Sequence, residues 1–406
     1  IMKILEVLTY YRPHISGLTI YVERLSKALA RQGHEVTVLT SQYDNSLPRN
    51  ETIDGVHIIR IPVAFRISKG VIMPTFGFLA WKLVNQADII HLHLPQFDAP
   101  GVAFRGRLLN KPVVLTYHSD LQLPVGLFNR LVDKVVLFQN RMAGVLADAV
   151  VTYTRDFGSH SPYLSSYLGK KLYIIPPPVE LAAATEEDVS QFQAKHYLNG
   201  QPIIGISARI AAEKGIEILL KAMPAILEKF PDTHILHANP PALGEDAYLA
   251  KLAPKFQEFN HNYHLLGGLH GAELTAFYKS LDCLVLCSLN NTETFGMVQV
   301  EAMMNGVPAV ASNLPGVRQP VTMTGMGEIV PIGSHEELAQ AVIRVLDNRQ
   351  HYLRSPEVIT HSFSPDETAA EYIRLFNELS KGRKDSSASE PAAYDRLRQM
   401  RDQGEK

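Results

Sequence analysis

The sequence predicts an α/β protein with two domains, each built on a parallel β-sheet. At 406 residues, the chain is long enough for two separate hydrophobic cores. A strand-like run at residues 3–9, a helical pattern at 18–32 and a second strand at 34–40 give the order of a parallel α/β unit. The same order begins again with a strand at 202–209 and a helix at 216–230. Because this strand–helix order starts twice, the sequence predicts two domains, both of the α/β class.

Short apolar runs predict the remaining strands. In the first domain they lie at residues 55–60, 89–94, 112–120, 145–154 and 171–175. In the second they lie at residues 234–237, 263–266, 281–287, 309–312 and 327–330, followed by helical patterns at 336–347 and 365–380. Because proline donates no backbone hydrogen bond, the run of three prolines from Pro176 predicts a linker. From residue 381 the chain is charged, rich in serine and poor in large apolar groups, which predicts disorder.

The composition is that of an ordinary globular protein, with 46% hydrophobic and 20% charged residues. No run of about 18 uncharged apolar residues occurs, so no membrane-spanning segment is predicted. No basic segment followed by a long apolar core stands near the start, so we expect no secretory signal and a cytoplasmic location. Cys283 and Cys287 lie too far apart along one predicted strand for a disulfide, and we expect two buried thiols.

The net charge of −2 is unevenly distributed. Residues 1–171 carry 19 basic against 12 acidic residues, a net charge of +7, and the remainder carries 20 against 29, a net charge of −9. This asymmetry favours an anionic surface or substrate for the first half, with ordinary scatter on solvated helices as an equal alternative. Two apolar stretches, residues 70–81 and 121–136, fit a core helix or an amphipathic helix on a membrane, and we favour the core.

The most informative stretch is residues 292–307, T-E-T-F-G-M-V-Q-V-E-A-M-M-N-G-V. It follows a buried strand and places Glu293 in the loop and Glu301 in the helix that Gly296 opens. A helix N-terminus presents free N–H groups and positive partial charge, which suit an anion such as a diphosphate. Taken singly, each glutamate is more simply interpreted as an ordinary surface carboxylate.

Two cations accompany a second helix N-terminus. Arg209 ends a predicted strand, and Lys214 stands just before the next helix. A guanidinium fork and an ammonium point charge together neutralise a diphosphate, although an arbitrary pair of this kind is more often two surface cations. Gly17, in the loop after the first strand, either lets the backbone approach a phosphate closely or marks a plain turn.

Three histidines lie on predicted strands of the first domain. His118 ends an apolar strand, and ligands of open α/β sheets bind beyond the carboxyl ends of strands, which places His118 at the edge of a site. His91 and His93 alternate along one strand and therefore share a face. No third ligand is evident beside them, so we expect structural histidines rather than a metal site.

The run E-T-F-G-M-V-Q-V-E-A-M-M-N-G-V-P-A-V-A-S from Glu293 resembles the E-x7-E signature of the family-4 retaining glycosyltransferases. The run R-I-A-A-E-K-G from Arg209 resembles their diphosphate-binding R-x4-K-G motif, and G-H-E-V-T-V from Gly33 resembles their second strand. The pair of glycines usual before the first helix is Ser16-Gly17 here. The resemblance implies the GT-B fold, in which two Rossmann-like, doubly wound parallel-sheet domains face each other across a cleft.

Together with the predicted elements, the resemblance divides the chain into five segments. Residues 1–175 form an acceptor-side N-terminal domain, and residues 176–200 form the linker. Residues 201–350 form the domain that binds the nucleotide sugar. Residues 351–380 form helices that return to the first domain, and residues 381–406 form the disordered tail.

The implied activity is transfer of a hexose, glucose or mannose, from a UDP- or GDP-sugar to a hydroxyl acceptor with retention of configuration. No metal or other cofactor is implied, since cations and helix dipoles neutralise the leaving diphosphate. Within the family, a segment such as residues 121–136 lines the acceptor cleft or rests on a membrane. We therefore expect an anionic lipid or membrane glycan as acceptor, peripheral contact with the inner membrane face, and no nucleic-acid partner.

The resemblance also assigns roles to residues at matching positions. Four residues are expected to be catalytic: His118, Glu293, Arg209 and Lys214. The residues expected to bind the nucleotide sugar are Gly17, Arg209, Lys214, Leu269, Phe295, Gly296, Met297, Val298 and Glu301. In this scheme Glu301 holds the ribose, Glu293 holds the sugar hydroxyls, and His118 borders the reacting carbon.

Two other functions remain open. A sugar-nucleotide epimerase or hydrolase on the same fold would act on the donor without an acceptor, and product stereochemistry would distinguish it. A non-catalytic lipid- or glycan-binding module would turn over no donor. The E-x7-E and R-x4-K-G motifs, together with His118, argue against both.

Overall fold

The computed structural model describes residues 1–67, 70–120, 127–240, 246–382 and 389–404, without the side chains of residues 67 and 127–133. The chain divides into two compact units. The first comprises Ile1–Pro178 and Ser364–Pro391, and the second comprises Val179–Phe363 and the residues from Ala392 onward. Each unit is an α/β domain with a parallel sheet and its own hydrophobic core, which confirms the predicted fold class.

The elements alternate along the chain as the apolar runs predict. The strands are β1 (Lys3–Val7), β2 (Glu35–Gln42), β3 (Asn50–Ile53), β4 (Val56–Pro62), β5 (Phe65–Ile67), β6 (Gly70–Ile72), β7 (Ile89–Leu94), β8 (Val113–Tyr117), β9 (Ala149–Thr152), β10 (Leu172–Ile174), β11 (Ile203–Ser207), β12 (His234–Ala238), β13 (Tyr263–Gly267), β14 (Cys283–Leu286), β15 (Ala309–Ser312) and β16 (Gly327–Val330). The helices are α1 (Gly17–Arg31), α2 (Phe76–Gln86), α3 (Ala99–Leu108), α4 (Leu127–Leu146), α5 (Arg155–His160), α6 (Glu186–Lys195), α7 (Ile216–Lys229), α8 (Asp246–Glu258), α9 (Gly271–Lys279), α10 (Met297–Met303), α11 (Gln319–Thr324), α12 (His335–Asp347), α13 (Arg349–Tyr352), α14 (Pro356–Ser362), α15 (Pro365–Ser380) and α16 (Ala392–Gly404).

The main sheet of the first unit has the strand order β10-β9-β8-β7-β1-β2-β4-β3. Its strands are parallel except for the edge strand β3, which pairs antiparallel with β4. The central strand β1 pairs with β2 on one side and with β7 on the other, so the order of the strands reverses at β1. The carboxyl ends of β1 and β7 therefore form the topological switch point, where ligands of open α/β sheets bind.

The sheet of the second unit has the order β13-β12-β11-β14-β15-β16, and all its strands are parallel. Its central strands β11, I-I-G-I-S, and β14, C-L-V-L, are almost continuously apolar and buried. This pattern is expected for a parallel sheet with helices on both faces. The switch point here lies between β11 and β14, so the loops after these two strands are the ones that position a site.

Helix α1 shows why the chain has Ser16 before Gly17. The Ser16 Oγ accepts the Thr19 N–H at 3.2 Å, which satisfies one of the donors left unpaired at a helix start. The helix then buries one apolar stripe at helical spacing: Tyr21, Val22, Leu25, Ala28 and Leu29. The departure from the usual pair of glycines is therefore a helix cap.

The C-terminal residues differ from the predicted disordered tail. Residues 392–404 form α16, which packs against α11 and α14 of the second unit and buries Ala393, Tyr394 and Leu397. The expectation of disorder was wrong for these residues, because three apolar side chains at helical spacing suffice to bury one helix face. Residues 383–388 and 405–406 of the predicted tail lie outside the described residues.

The segment boundaries also shift. The predicted linker, residues 176–200, contains α6, which begins with a capping box formed by Thr185 and Asp188. Of the helices expected to return to the first domain, α15 belongs to the first unit, whereas residues 351–363 belong to the second. The strand-like run at 145–154 is divided between the end of α4 and β9.

Candidate active site

The predicted cation and carboxylate of the second unit meet at its switch point. Lys214 ends a short 3₁₀ helix, Ala212–Lys214, after β11, and Glu293 lies in the loop after β14. The Lys214 Nζ donates to the Glu293 Oε2 at 2.7 Å, and the Glu293 Oε1 accepts the Gly296 N–H at 3.1 Å. The two side chains are only 17% and 21% exposed, so this pair is shielded from water more than an ordinary surface ion pair.

Two glycines allow the loops to approach each other closely. Gly215 has a φ of +67°, and a Cβ there would lie 2.1 Å from the Cys287 carbonyl oxygen. Gly296 has a φ of +77°, and a Cβ there would lie 2.4 Å from the Leu286 Cδ2. Glycine adopts these left-handed conformations without steric cost. The glycines of the two motifs therefore set the geometry of the loops that carry Lys214 and Glu293.

Arg209 follows β11 in the same loop as Lys214. Its guanidinium donates to the Glu213 Oε1 at 3.0 Å, an ion pair four residues apart. Behind the loop, the His237 Nε2 donates to the Ala208 carbonyl at 2.8 Å, and the His237 Nδ1 accepts from the Tyr263 hydroxyl at 2.9 Å. Burial lowers the pKa of His237 to about 4, so the ring is neutral and fixes the backbone before Arg209.

Glu301 lies one turn into α10, and only 8% of its surface is exposed. Its Oε2 accepts the Tyr278 hydroxyl at 2.7 Å. The neighbouring Gln299 donates from Nε2 to the Phe295 and Val317 carbonyls at 3.1 and 2.9 Å, which ties the start of the helix to the loop after β15. An ordinary solvated carboxylate is thus excluded for Glu301, and its position is set by burial and by Tyr278.

The other predicted donor-binding residues of this unit take different positions. Leu269 is buried in the loop between β13 and α9. The Phe295 side chain is also buried and packs against Phe363 with ring centroids 5.7 Å apart, so this ring belongs to the interior of the unit. Met297 and Val298 are partly buried at the start of α10. The structure therefore brings Lys214, Glu293 and Gly296 into direct contact, while Leu269 and Phe295 lie at separate positions.

In the first unit, Gly17 is the first residue of α1, and His118 directly follows β8. Both nitrogens of the buried His118 ring are hydrogen-bonded: Nε2 lies 3.0 Å from the His93 Nδ1, and Nδ1 contacts the Tyr153 hydroxyl. Burial lowers the pKa of His118 well below its usual value, and the neighbouring His93 and His91 lower it further. His118 is therefore neutral at physiological pH.

Glu6, His91, His93 and His118 form what we call the histidine cluster. The His93 Nε2 donates to the Glu6 Oε2 at 2.6 Å, and the His91 Nδ1 lies 2.9 Å from the same oxygen. Burial by itself would raise the pKa of Glu6, but the two imidazoles lower it to about 2. His91 and His93, which we expected to be structural, are both buried, and His93 contacts His118 directly.

The cluster extends to the C-terminal helix α15 of the same unit. The His91 Nε2 lies 2.7 Å from the Thr116 Oγ1, which lies 2.6 Å from the Tyr372 hydroxyl. The Tyr372 hydroxyl lies 2.7 Å from that of Tyr21. Glu6 was not predicted from the sequence, although a carboxylate among the apolar residues of the strand K-I-L-E-V was a signal for a buried polar site. No pattern in the sequence indicates the contacts of Tyr372.

Glu6, His91 and His93 offer atoms of metal-ligating type within 4.8 Å of one another. The carboxylate oxygen, however, lies 2.6 and 2.9 Å from the two imidazole nitrogens, which are the distances of direct hydrogen bonds and ion pairs. A metal ion between ligands would hold them about 2.0 Å from itself and therefore farther from one another. The arrangement is that of a hydrogen-bonded cluster.

Two family models match the chain, one in each half. "Glycosyltransferase Family 4" matches residues 15–183, and "Glycosyl transferases group 1" matches residues 188–357. An uncharacterized glycosyltransferase of Methanocaldococcus jannaschii is 26% identical over 394 residues, which cover 92% of this chain and 98% of that protein. A phosphatidyl-myo-inositol mannosyltransferase of Mycobacterium leprae is 26% identical over 378 residues, which cover 89% and 93%.

The solved structure of Anabaena HepE in complex with UDP-glucose is similar to the whole chain, with a TM-score of 0.73 at 17% identity, and covers 93% of this chain and 100% of that one. At this identity the likeness shows the fold. Among the described residues, no helix combines the length and apolar character that crossing a membrane requires. The two matched models together cover every strand of both main sheets except β1, together with both charged motifs, and the chain belongs to family 4 of the glycosyltransferases, with the GT-B fold.

Proposed function

We propose that this glycosyltransferase moves a hexose from a nucleotide diphosphate sugar to a hydroxyl acceptor with retention of configuration. The observation that carries the proposal is the ion pair of Lys214 and Glu293, whose atoms lie 2.7 Å apart at the switch point of the second unit. An ammonium group there suits diphosphate oxygens, and a carboxylate suits the hydroxyls of a sugar. Donor binding would exchange this pair for contacts with both ends of the glycosyl diphosphate.

Charge grows on the leaving diphosphate as the glycosidic bond breaks. Arg209 and Lys214 stabilise that charge, with help from the backbone N–H groups at Gly296 and Met297. Fixed charges and dipoles act most strongly on charge that develops in the transition state. The leaving phosphate itself takes the proton of the acceptor hydroxyl, so neither a protein nucleophile nor a metal ion is required.

The nucleoside is held farther along the same unit. Glu301, which Tyr278 holds by a 2.7 Å hydrogen bond, accepts hydrogen bonds from the ribose hydroxyls. Leu269 and the backbone at Phe295 pack against the base. The base is uracil or guanine and the sugar is glucose or mannose: HepE was solved with UDP-glucose, and the relative from M. leprae is named as a mannosyltransferase.

The acceptor is a lipid or a glycan at an anionic membrane, and three helices of the first unit support this part of the proposal. Helix α3 packs against both α2 and α4. Large apolar side chains are exposed on all three: Phe78, Trp81, Phe104, Leu108, Phe138, Met142 and Val145. Exposed cations stand among them: Lys82, Arg107, Lys134 and Arg141. We call these residues the apolar–basic face.

An exposed apolar surface with basic residues fits the boundary of an anionic membrane. The two interpretations of residues 70–81 apply to different side chains, because Val71, Phe76 and Ala80 are buried in the core while Phe78 and Trp81 are exposed. Residues 121–126 of the second stretch lie outside the described residues. The name of the M. leprae relative, a phosphatidyl-myo-inositol mannosyltransferase, adds support for a lipid acceptor.

The test is a panel of UDP-glucose, UDP-galactose, GDP-mannose and ADP-glucose, each with vesicles that contain diacylglycerol or phosphatidylinositol. We expect one donor to release its nucleoside diphosphate only when an acceptor is present, and NMR of the product to show the anomeric configuration of the donor. Release without an acceptor would favour the hydrolase or epimerase, and an inverted product would overturn retention. Binding of a donor without any turnover would favour the non-catalytic module.

A further inference from the structure

A continuous chain of hydrogen bonds crosses three strands of the first unit. It runs from the Tyr153 hydroxyl to the His118 Nδ1, from the His118 Nε2 to the His93 Nδ1 at 3.0 Å, and from the His93 Nε2 to the Glu6 Oε2 at 2.6 Å. All four side chains are buried. Glu6 lies on β1, His93 lies on β7 and His118 follows β8, so the chain lies at the switch point of this sheet.

The chemistry of these groups allows one direction of donation. Because the contacts with two imidazoles outweigh burial and lower the pKa of Glu6 to about 2, its carboxylate is ionised and accepts only. Burial lowers the pKa of His93 to about 4, so its ring is neutral and its one proton must lie on Nε2. The His93 Nδ1 then accepts, His118 must donate from Nε2, and the His118 Nδ1 accepts from Tyr153.

We infer that Glu6 and His93 are positioning residues, which hold His118 in one orientation, neutral and with its proton on Nε2. The inference rests on the proposed function and on the role that the family resemblance assigns to His118, at the border of the reacting carbon. With both nitrogens engaged inside its own unit, His118 has a fixed place and no basic nitrogen to offer the acceptor hydroxyl. It therefore acts as a rigid neutral group, and the proton of the acceptor passes to the leaving phosphate.

The other groups around His118 agree with a neutral ring. The Tyr21 ring on α1 stands edge-on, with ring centroids 4.8 Å apart, and the His91 ring lies 4.2 Å from that of His93. Tyr372 on α15 joins Tyr21 to Thr116 and so closes the cluster from the side of the helix. A protonated His118 would place a buried cation beside two further imidazoles, which low-dielectric surroundings strongly disfavour.

The first experiment reads the ring directly and needs no substrate. We would record ¹⁵N NMR spectra of the histidines in the full chain between pH 5 and 9, and assign His118 by its loss in His118→Phe. We expect a neutral ring with its proton on Nε2 over the whole range. In Glu6→Gln, whose amide both donates and accepts, we expect a mixture of tautomers at His93 and His118.

Titration of His118 near its usual pKa, or a proton on Nδ1, would overturn the inference. So would one equivalent of zinc bound to the wild-type chain and absent from Glu6→Gln, because the cluster would then be a metal site. These results do not depend on any assumption about the donor or the acceptor.

The second experiment measures turnover with the donor that the panel identifies. We expect His93→Phe and Glu6→Gln to lower kcat by about a hundredfold, the scale of a misplaced catalytic group, while KM for the donor changes less than about threefold. In the His118→Phe background the same changes should cost almost nothing more, since both act through His118. Thr152→Val, a buried polar change on β9, serves as the control and should keep normal kinetics.

Full activity of a folded His93→Phe, or additive losses in the double variant, would refute positioning through His118. Full activity of His118→Phe would instead show that His118 takes no part in the proposed reaction. The hydrogen bonds from Glu6 and His93 would then have no role in catalysis. Loss of activity in all donor assays, with the expected NMR spectra, would point to failure of the proposed function and not of the hydrogen-bonded chain.

Discussion

The two units place polar groups at the same topological point in different ways. In the second unit, Lys214 and Glu293 project from loops beyond the strands and remain partly exposed. In the first unit, Glu6 and His93 lie on the strands themselves and are fully buried. Loop groups can exchange one partner for a ligand, whereas buried groups on strands cannot without disrupting the sheet. Under the proposed function, the groups of the second unit would therefore bind and release a charged donor, and those of the first would hold one imidazole in a fixed position.

The largest expected effect breaks the loop pair of the second unit. Lys214→Ala should lower turnover by about a hundred- to a thousandfold, since it removes a cation from the growing charge of the diphosphate. Glu293→Ala and Glu301→Ala should each lower it by at least about tenfold. Initial rates at saturating donor check this, with Lys221→Ala, an exposed lysine on α7, as the matched control.

Normal rates in folded Lys214→Ala and Glu293→Ala would remove the assignment of the active site to the switch point of the second unit. An equal loss in Lys221→Ala would show that the effect belongs to the general positive charge of this surface. The contrast between the loop residues of the second unit and the buried strand residues of the first would then have no bearing on function.

A smaller effect tests the close approach between Gly215 and the Cys287 carbonyl oxygen in the second unit. Gly215→Ala should lower the free energy of unfolding by about 2–4 kcal/mol, because a left-handed residue gains a Cβ that meets a carbonyl oxygen. Gly200→Ala is the matched control, since Gly200 has a φ of +89° and a Cβ there would meet nothing within 4 Å. That control should lose about 1 kcal/mol, from the backbone conformation alone. Equal losses in urea denaturation would show that the close approach to Cys287 is unimportant.

The same contrast explains what the sequence could predict. The groups of the second unit lie within two short contiguous motifs, each at the end of an apolar run, so the resemblance of these motifs to those of the family was enough to select Lys214, Glu293 and Glu301 as candidates. The Lys214–Glu293 contact joins positions 79 apart, yet both strands were predicted, and the carboxyl ends of neighbouring parallel strands meet.

The cluster of the first unit could not be predicted in this way. Its partners come from β1, β7, the end of β8 and α15, and the Tyr21–Tyr372 contact joins positions 351 apart. Nothing local distinguishes a buried tyrosine that bonds another element from one that merely fills the core. The order of α16 was missed for the same reason, since the stripe of Tyr394 and Leu397 is short and its partners, α11 and α14, are distant in sequence.

The smallest expected effect concerns the surfaces of the two units rather than their interiors. The half of the chain with a net charge of +7 carries the apolar–basic face, whereas the other half has a net charge of −9. Phe138→Ser should weaken binding to phosphatidylglycerol vesicles by about tenfold, the loss of one apolar side chain from the membrane boundary. Ile332→Ser, an equivalent change at an exposed apolar residue of the second unit, should leave it unchanged.

Vesicle sedimentation measures both variants, and binding of the wild type should fall as salt is added or as phosphatidylcholine replaces phosphatidylglycerol. Equal affinity for the two lipids would rule out attraction between the basic half and an anionic surface, and leave the charge asymmetry as scatter on solvated helices. An equal loss in Phe138→Ser and Ile332→Ser would show that apolar contact is not specific to α2, α3 and α4. If only Phe138→Ser weakens binding, membrane contact belongs to the first unit, which also holds His118. The acceptor and the positioned imidazole would then belong to the same unit.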